Sequence, residues 1–319
     1  MKIKTFFKSL IFLIFGFIII YFIFKNQDLN KMVLKLKSAN YCYLIVSMIF
    51  GFCAYIFRAL RWQILINTMQ YSSKFGPALH SISIGYLANV IFPRAGEIVR
   101  CTYFNQVTKV PVKKLIGNVI LERVIDLSIL IVLLLFSFTI KFNEISIFFS
   151  NFKTINPKNY IPILVLISIL ICLLFIFRKR ILRFNFLKKL QNFLSDIQSG
   201  FKSIFYINKK NLFSLYTILI WLMYIFMTQI CFYSIPETSN LNFFDGIYIT
   251  VIGGLGMIIP VQGGIGSYHA AVTLALLSLG HSETTGITLA ILIHTAQSVM
   301  ILFSGTISTV VLSFQKIKS

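Results

Sequence analysis

The chain has 319 residues, of which 57% are hydrophobic and only 12% charged, with a mean hydropathy of +0.83 and a formal net charge of +21. Soluble domains carry roughly 25% charged residues, so this composition excludes an ordinary soluble globule, a disordered chain and a disulfide scaffold. Too little polar surface remains for a dissolved basic nucleic-acid binder, which leaves a multi-span membrane protein.

The N-terminus places Lys2, Lys4 and Lys8 before an apolar run from Leu10 to Phe24. Lys25, Asn26, Gln27 and Asp28 follow with no small-residue cleavage site, so a retained first span is expected rather than a signal peptide. A spanning helix needs ~20 mostly apolar residues. Six stretches meet this: 6–24, 41–57, 115–140, 160–177, 212–233 and 286–313. Two further apolar stretches, 77–104 and 243–280, are interrupted at Pro93–Gly96 and at Pro260–Gly266. Proline removes a backbone donor and clustered glycine loosens the helix, so each reads as a broken, re-entrant helix pair. Segments 28–38 and 178–210 are basic and amphipathic. The longer one suits a helix lying on an anionic membrane surface, or a solvated linker helix. The cysteines at 42, 53, 101, 172 and 231 lie in or beside apolar runs and read as packing residues.

The positive-inside rule orients this set. With 178–210 in the cytoplasm, that side collects twenty Lys and Arg against seven outside, with both termini cytoplasmic. The expected architecture is an all-α integral membrane protein with six full spans and two broken pairs. Residues 1–140 and 160–313 form two halves of opposite orientation within one transmembrane domain. Inverted repeats with broken helices are a sign of transporters, with the site where the breaks meet. Two independent interrupted helices that merely help packing are the alternative.

Charges in hydrocarbon are costly and usually functional. Asn89, Pro93, Arg94, Gly96, Glu97 and Arg100 surround the first break. Arg94, Glu97 and Arg100 would share a face if the second arm is helical, and arginine's planar fork suits phosphate. Glu122, Arg123 and Asp126 lie early in the 115–140 stretch. Three arginines (94, 100, 123) and three carboxylates (97, 122, 126) sum to zero, which points to a paired network between the two segments. Arg58, Arg61 and Trp62 end the second expected span, either as a snorkelling belt or as headgroup contacts at the mouth of a groove. At the second break, Gly263, Gly264 and Gly266 precede a new helix and could offer amides to an anion. His269 could bind a headgroup or shuttle a proton, and His294 with Gln297 could face the same cavity.

These motifs, in this order, resemble the lysylphosphatidylglycerol synthase transmembrane-domain family, the flippase-like membrane proteins. The likeness rests on Arg58/Arg61/Trp62, on Pro93/Arg94/Gly96/Glu97/Arg100, on Glu122/Arg123/Asp126 and on Gly263/Gly264/Gly266. It covers nearly the whole chain. Two features depart from the pattern: Val261-Gln262 precede the glycines, and His269 stands where the family often carries Glu. The resemblance implies movement of a phospholipid or lipid-linked headgroup between leaflets. The best-known members also carry a soluble aminoacyl-transferase domain, and only a short tail follows residue 313 here. The expectation is therefore a lipid flippase-like transporter of the inner membrane, not an enzyme, with no cofactor, metal or nucleic acid. Its partners would be membrane lipids, anionic or lipid-linked, with a soluble synthase as a possible docking partner. A membrane-embedded lipid-modifying enzyme is the rival reading.

Overall fold

The computed structural model describes residues 28–92, 94–150, 209–259 and 261–318, together with Tyr21, Lys25 and Ile207. The expected spans 6–24 and 160–177, nearly all of segment 178–210, and the breaker residues Pro93 and Pro260 lie outside the described residues. The described residues fold into helices joined by short turns, with no strand among them.

Helix α1 (Leu29–Ser38) is the first amphipathic segment, started by Asp28, whose carboxylate accepts the Asn30 and Lys31 amides at 3.1 Å. Helix α2 runs from Tyr41 to Thr68. Helices α3 (Phe75–Ile91) and α4 (Gly96–Thr108) form a hairpin around the first break. Lys109, in the left-handed region at φ 61°, and Pro111 after it end α4. Helix α5 (Val112–Ile140) leads into the short α6 (Phe142–Ser150). Helix α7 (Lys210–Ile230) continues through a 3-10 turn to Ser234. Asn242 and Asp245 make a reciprocal capping box that starts α8 (Phe243–Gly256). A 3-10 turn at Gln262–Gly264 connects it to α9 (Ser267–Ser278), and α10 (Glu283–Lys318) closes the bundle.

Three of these are long and apolar enough to cross a bilayer: Tyr41–Thr68, Lys210–Ser234 and Glu283–Phe314. They carry exposed large apolar side chains such as Ile45, Ile49, Ile218, Leu302 and Phe303. Facing water, such side chains would be an aggregation liability; facing lipid they are solvated. The described residues are all-helical, and the chain is a membrane protein.

Helices α2 and α10 pass through two separate apolar clusters. One gathers Tyr55, Trp62, Ile82, Phe104, Leu115 and Met300 around the α3–α4 hairpin. The other gathers Leu44, Phe232, Tyr248, Val272, Leu289 and Ile293 around the α8–α9 hairpin. The hairpins thus pack on opposite halves of the same two long helices and meet tip to tip in the middle. Both tips fall where the proline and glycine clusters predict a break.

The bundle ends differ in chemistry. At one end Lys35 bonds Glu237 at 2.5 Å and Thr285 at 2.9 Å, and Lys141 bonds Asp245 at 2.8 Å. Lys74, Lys109, Lys113 and Lys114 lie in or beside the turns at the other. The Lys35 hydrogen bond holds the Glu237 carboxyl below its usual range, although partial burial works against it. A depressed carboxylate pKa adds stability that is present above the unfolded pKa of ~4.3 and is lost as pH falls through the lower folded value. Protection of residues 29–38 against amide exchange, relative to the intrinsic rate at each pH, should therefore hold from neutral pH to about 4 and fall below it. Glu237→Gln should lower the protection of residues 29–38 at neutral pH and match wild type at low pH, where Glu237 is itself protonated; equal protection at neutral pH would show that this contact does not anchor α1.

Candidate functional site

The first tip is built by close approach of backbone. Gly96 N–H donates to Asn89 Oδ1 at 2.7 Å. A Cβ on Gly96 would overlap Gly85 O and lie 2.6 Å from Asn89 Nδ2, so only glycine fits. Arg94 adopts φ 60° in the turn itself. It therefore lies outside the α4 face that Glu97 and Arg100 share, contrary to the expected three-residue stripe. Its Nη2 donates to Ile258 O at 2.8 Å, across the gap to the second hairpin.

Behind the tip lies a buried charge network. Arg100 pairs with Glu122, and its guanidinium sits 4.3 Å from the Trp62 ring centroid. Arg58 pairs with Asp126 and donates from Nε to Tyr224 Oη at 2.9 Å. Arg61 reaches Asp126 at 2.8 Å and Glu122 at 3.6 Å. These five charged residues are 0–8% exposed. Arg123 and Glu97 form a separate pair at 2.7 Å, partly exposed.

The geometry corrects the zero-sum grouping. The network exists, but Arg58 and Arg61 belong to it. They do not snorkel, because α2 continues through the apolar Ile64, Leu65 and Ile66 to Thr68 and places both arginines inside the bundle. They are likewise absent from the lining of the cavity between the two hairpin tips. Among the described residues no carboxylate reaches Arg94. Arg58, Arg61, Arg94, Arg100 and Arg123 stand against Glu97, Glu122 and Asp126, leaving a surplus of two positive charges. Arg58 and Arg61 were visible in the sequence; their partner helix was not.

The second tip uses Gly263, Gly264 and Gly266 at φ 57°, 74° and 86°. These left-handed positions favour glycine. Two of the amides are already engaged, Gly264 N to Val261 O and Gly266 N to His269 Nδ1, both at 3.3 Å. The expected anion cradle is therefore not free in this conformation. His294 Nε2 lies 2.7 Å from Gly263 O, which requires the proton on Nε2 and pins the tip to α10. His269 packs behind His294 at a ring separation of 4.7 Å and is not among the cavity-lining residues.

Between the tips is a cavity of about 570 Å³. Asn89, Arg94, Glu97 and Arg123 line it from the first half, Gly263 and Gly264 from the second tip, and His294 and Gln297 from α10. Val90, Met257, Ile258, Ile259 and Ile301 supply apolar wall. Two exposed arginines, a carboxylate and an imidazole thus share one chamber with aliphatic surface. Such a chamber can hold a polar, phosphate-bearing group attached to an apolar one.

A family model described as "Lysylphosphatidylglycerol synthase TM region" matches residues 8–305 of the chain. No curated protein and no solved structure matches it.

Proposed function

The chain belongs to the lysylphosphatidylglycerol synthase TM region family, and from that premise we propose that it moves a phospholipid or lipid-linked headgroup between membrane leaflets. The observation that carries this reading is the cavity between the two hairpin tips, where Arg94, Glu97 and Arg123 meet aliphatic wall. The headgroup passes through this chamber while the acyl chains stay in lipid. The surplus positive charge favours an anionic headgroup.

The two halves, 1–140 and 160–313, work as an inverted repeat in a six-span protein of the inner membrane. Several features support this. Helices α3 and α8 have 17 and 14 residues, about 25 and 21 Å at ~1.5 Å per residue, short of the ~30 Å hydrocarbon core. They enter from opposite ends as re-entrant arms. His294 lies about 16 Å along α10 from Glu283, near mid-depth for such a core. The basic end, with Lys74, Lys109, Lys113 and Lys114, is the cytoplasmic one. A soluble synthase would dock through the basic residues of segment 178–210.

The test is reconstitution with fluorescent phospholipid and a membrane-impermeant quencher. Wild type should expose inner-leaflet lipid faster than empty vesicles. Arg94→Ala and Glu97→Gln should each slow it about tenfold or more, the size of one charged contact. Wild type indistinguishable from empty vesicles would overturn the transport reading. A lipid species that appears or disappears on deletion of the protein would favour the enzymatic rival.

A further inference from the structure

A second concavity lies on the outer face of the bundle, between α4 and α5. It has a volume of about 240 Å³, and Ile98, Ile116, Val119, Ile120, Val124 and Leu127 line it. Ile98, Val124 and Leu127 are 60, 43 and 50% exposed. Among the described residues the polar side chains on it are Glu97 and Arg123, and these same two line the central cavity. The pair therefore stands as a single partition between a polar chamber and an apolar, lipid-facing groove.

The geometry points to a lateral portal: one phospholipid occupies both compartments, its phosphate in the chamber on Arg123 and an acyl chain in the α4–α5 groove. This rests on the transport reading for the headgroup and adds the route, the leaflet side and the two-part site. Three observations select a lipid chain as the groove's occupant. The groove is continuous with the chamber through two shared side chains. It extends about 16 Å along α5 from Ile116 to Leu127, half of the ~30 Å hydrocarbon core and so the depth of one leaflet. It also begins next to Lys113 and Lys114, at the basic end, where the headgroups of an anionic leaflet collect.

The chemistry of opening is an exchange of partners. Arg123 is half-exposed and holds Glu97 through one hydrogen bond at 2.7 Å, whereas the arginines behind it are buried in several contacts. A phosphate diester offers Arg123 the same charge with more acceptor oxygens. Glu97, once released, stays in the chamber with Arg94. No covalent bond forms or breaks.

The test uses the full chain in phosphatidylcholine vesicles doped with phosphatidylglycerol that carries a diazirine in one acyl chain. After illumination, crosslinks are mapped by mass spectrometry at residues 116–127 and at Phe303 on α10, a lipid-facing control at 69% exposure. Groove labelling should exceed control labelling on the order of tenfold, the value of one charged contact. A diacylglycerol with the same chain lacks the phosphate and should label groove and control alike. Arg123→Ala should bring phosphatidylglycerol down to that level. Ile120→Trp leaves both charges in place and should do the same by filling the groove, so a misfolded arginine variant does not stall the test. Equal labelling of groove and Phe303 in wild type, or groove labelling untouched by Ile120→Trp, overturns the portal. If the groove labels as expected but vesicles exchange no lipid, the transport reading falls and the lipid site stands. If exchange is fast and the groove labels like Phe303, the reverse holds.

Discussion

Asp126→Ala is expected to lower the thermal unfolding midpoint in detergent on the order of 10 °C and to cut the yield of monodisperse protein. Asp126 is the shared acceptor of Arg58 and Arg61 inside the bundle. Its removal leaves two guanidinium groups competing for Glu122, which Arg100 already occupies. Breaking a buried ion pair from one side costs about 3–5 kcal/mol, because the stranded charge has neither water nor partner. For domains of about 150–250 residues ~1 kcal/mol corresponds to roughly 2–4 °C, and a chain of 319 residues lies toward the lower end. Asp126→Asn keeps the shape and one acceptor oxygen, so it should fall between alanine and wild type. Arg58→Met combined with Asp126→Leu should lose less than Asp126→Ala alone, since it removes a cation along with the anion. A midpoint for Asp126→Ala within about 1 °C of wild type would mean that water reaches the arginines and that the network is not a dry core.

Gly96→Ala should abolish lipid exchange even at temperatures where the variant is folded. The new methyl group would meet Gly85 O and Asn89 Nδ2, backbone on one side and the tip's own hydrogen-bonding side chain on the other. Neither is the loose end of a flexible chain. Overpacking of this kind costs about 1–3 kcal/mol, and the Gly96–Asn89 bond adds ~1 kcal/mol when it is lost. Relief comes by separating α4 from α3, which shifts Arg94 and Glu97 away from Ile258 and Arg123. Gly76→Ala is the matched control, because nothing lies within 4 Å of its added carbon. Transport at wild-type rate in Gly96→Ala, alongside normal Gly76→Ala, would show that the close approach of the two arms is dispensable.

Both breaks were legible in the sequence because proline and glycine clusters act locally. Asn89-to-Gly96 and Gly263-to-Gly266 mark the observed tips, and no long-range information is needed to place them. The charged residues were legible as a set and not as pairs. The zero sum pointed to pairing between the two segments, yet Asp126 turns to Arg58 and Arg61 on α2, while Arg123 does turn to Glu97 on α4. Which face of a helix meets which neighbour depends on tertiary packing, and the hydropathy period does not report it. Arg58 and Arg61 read as a boundary because they follow directly on the apolar stretch 41–57. Helix α2 runs to Thr68 because Ile64, Leu65 and Ile66 still bury against neighbours. The positive φ of Arg94 is equally silent in a one-dimensional pattern, since non-glycine residues seldom adopt it.

The arginine–carboxylate network also sets an order of events during synthesis. Helix α2 leaves the ribosome with Arg58 and Arg61 exposed, and Asp126 follows 68 residues after Arg58. Each unpaired arginine near the middle of a lone inserting helix costs ~2.5–3.5 kcal/mol. Helix α2 therefore gains a settled place in the bilayer only when α5 arrives to neutralise it. Helices α2 and α5 are thus committed to the membrane as a cooperative unit, and a ribosome stalled before residue 126 would leave α2 exposed to extraction and quality-control proteolysis.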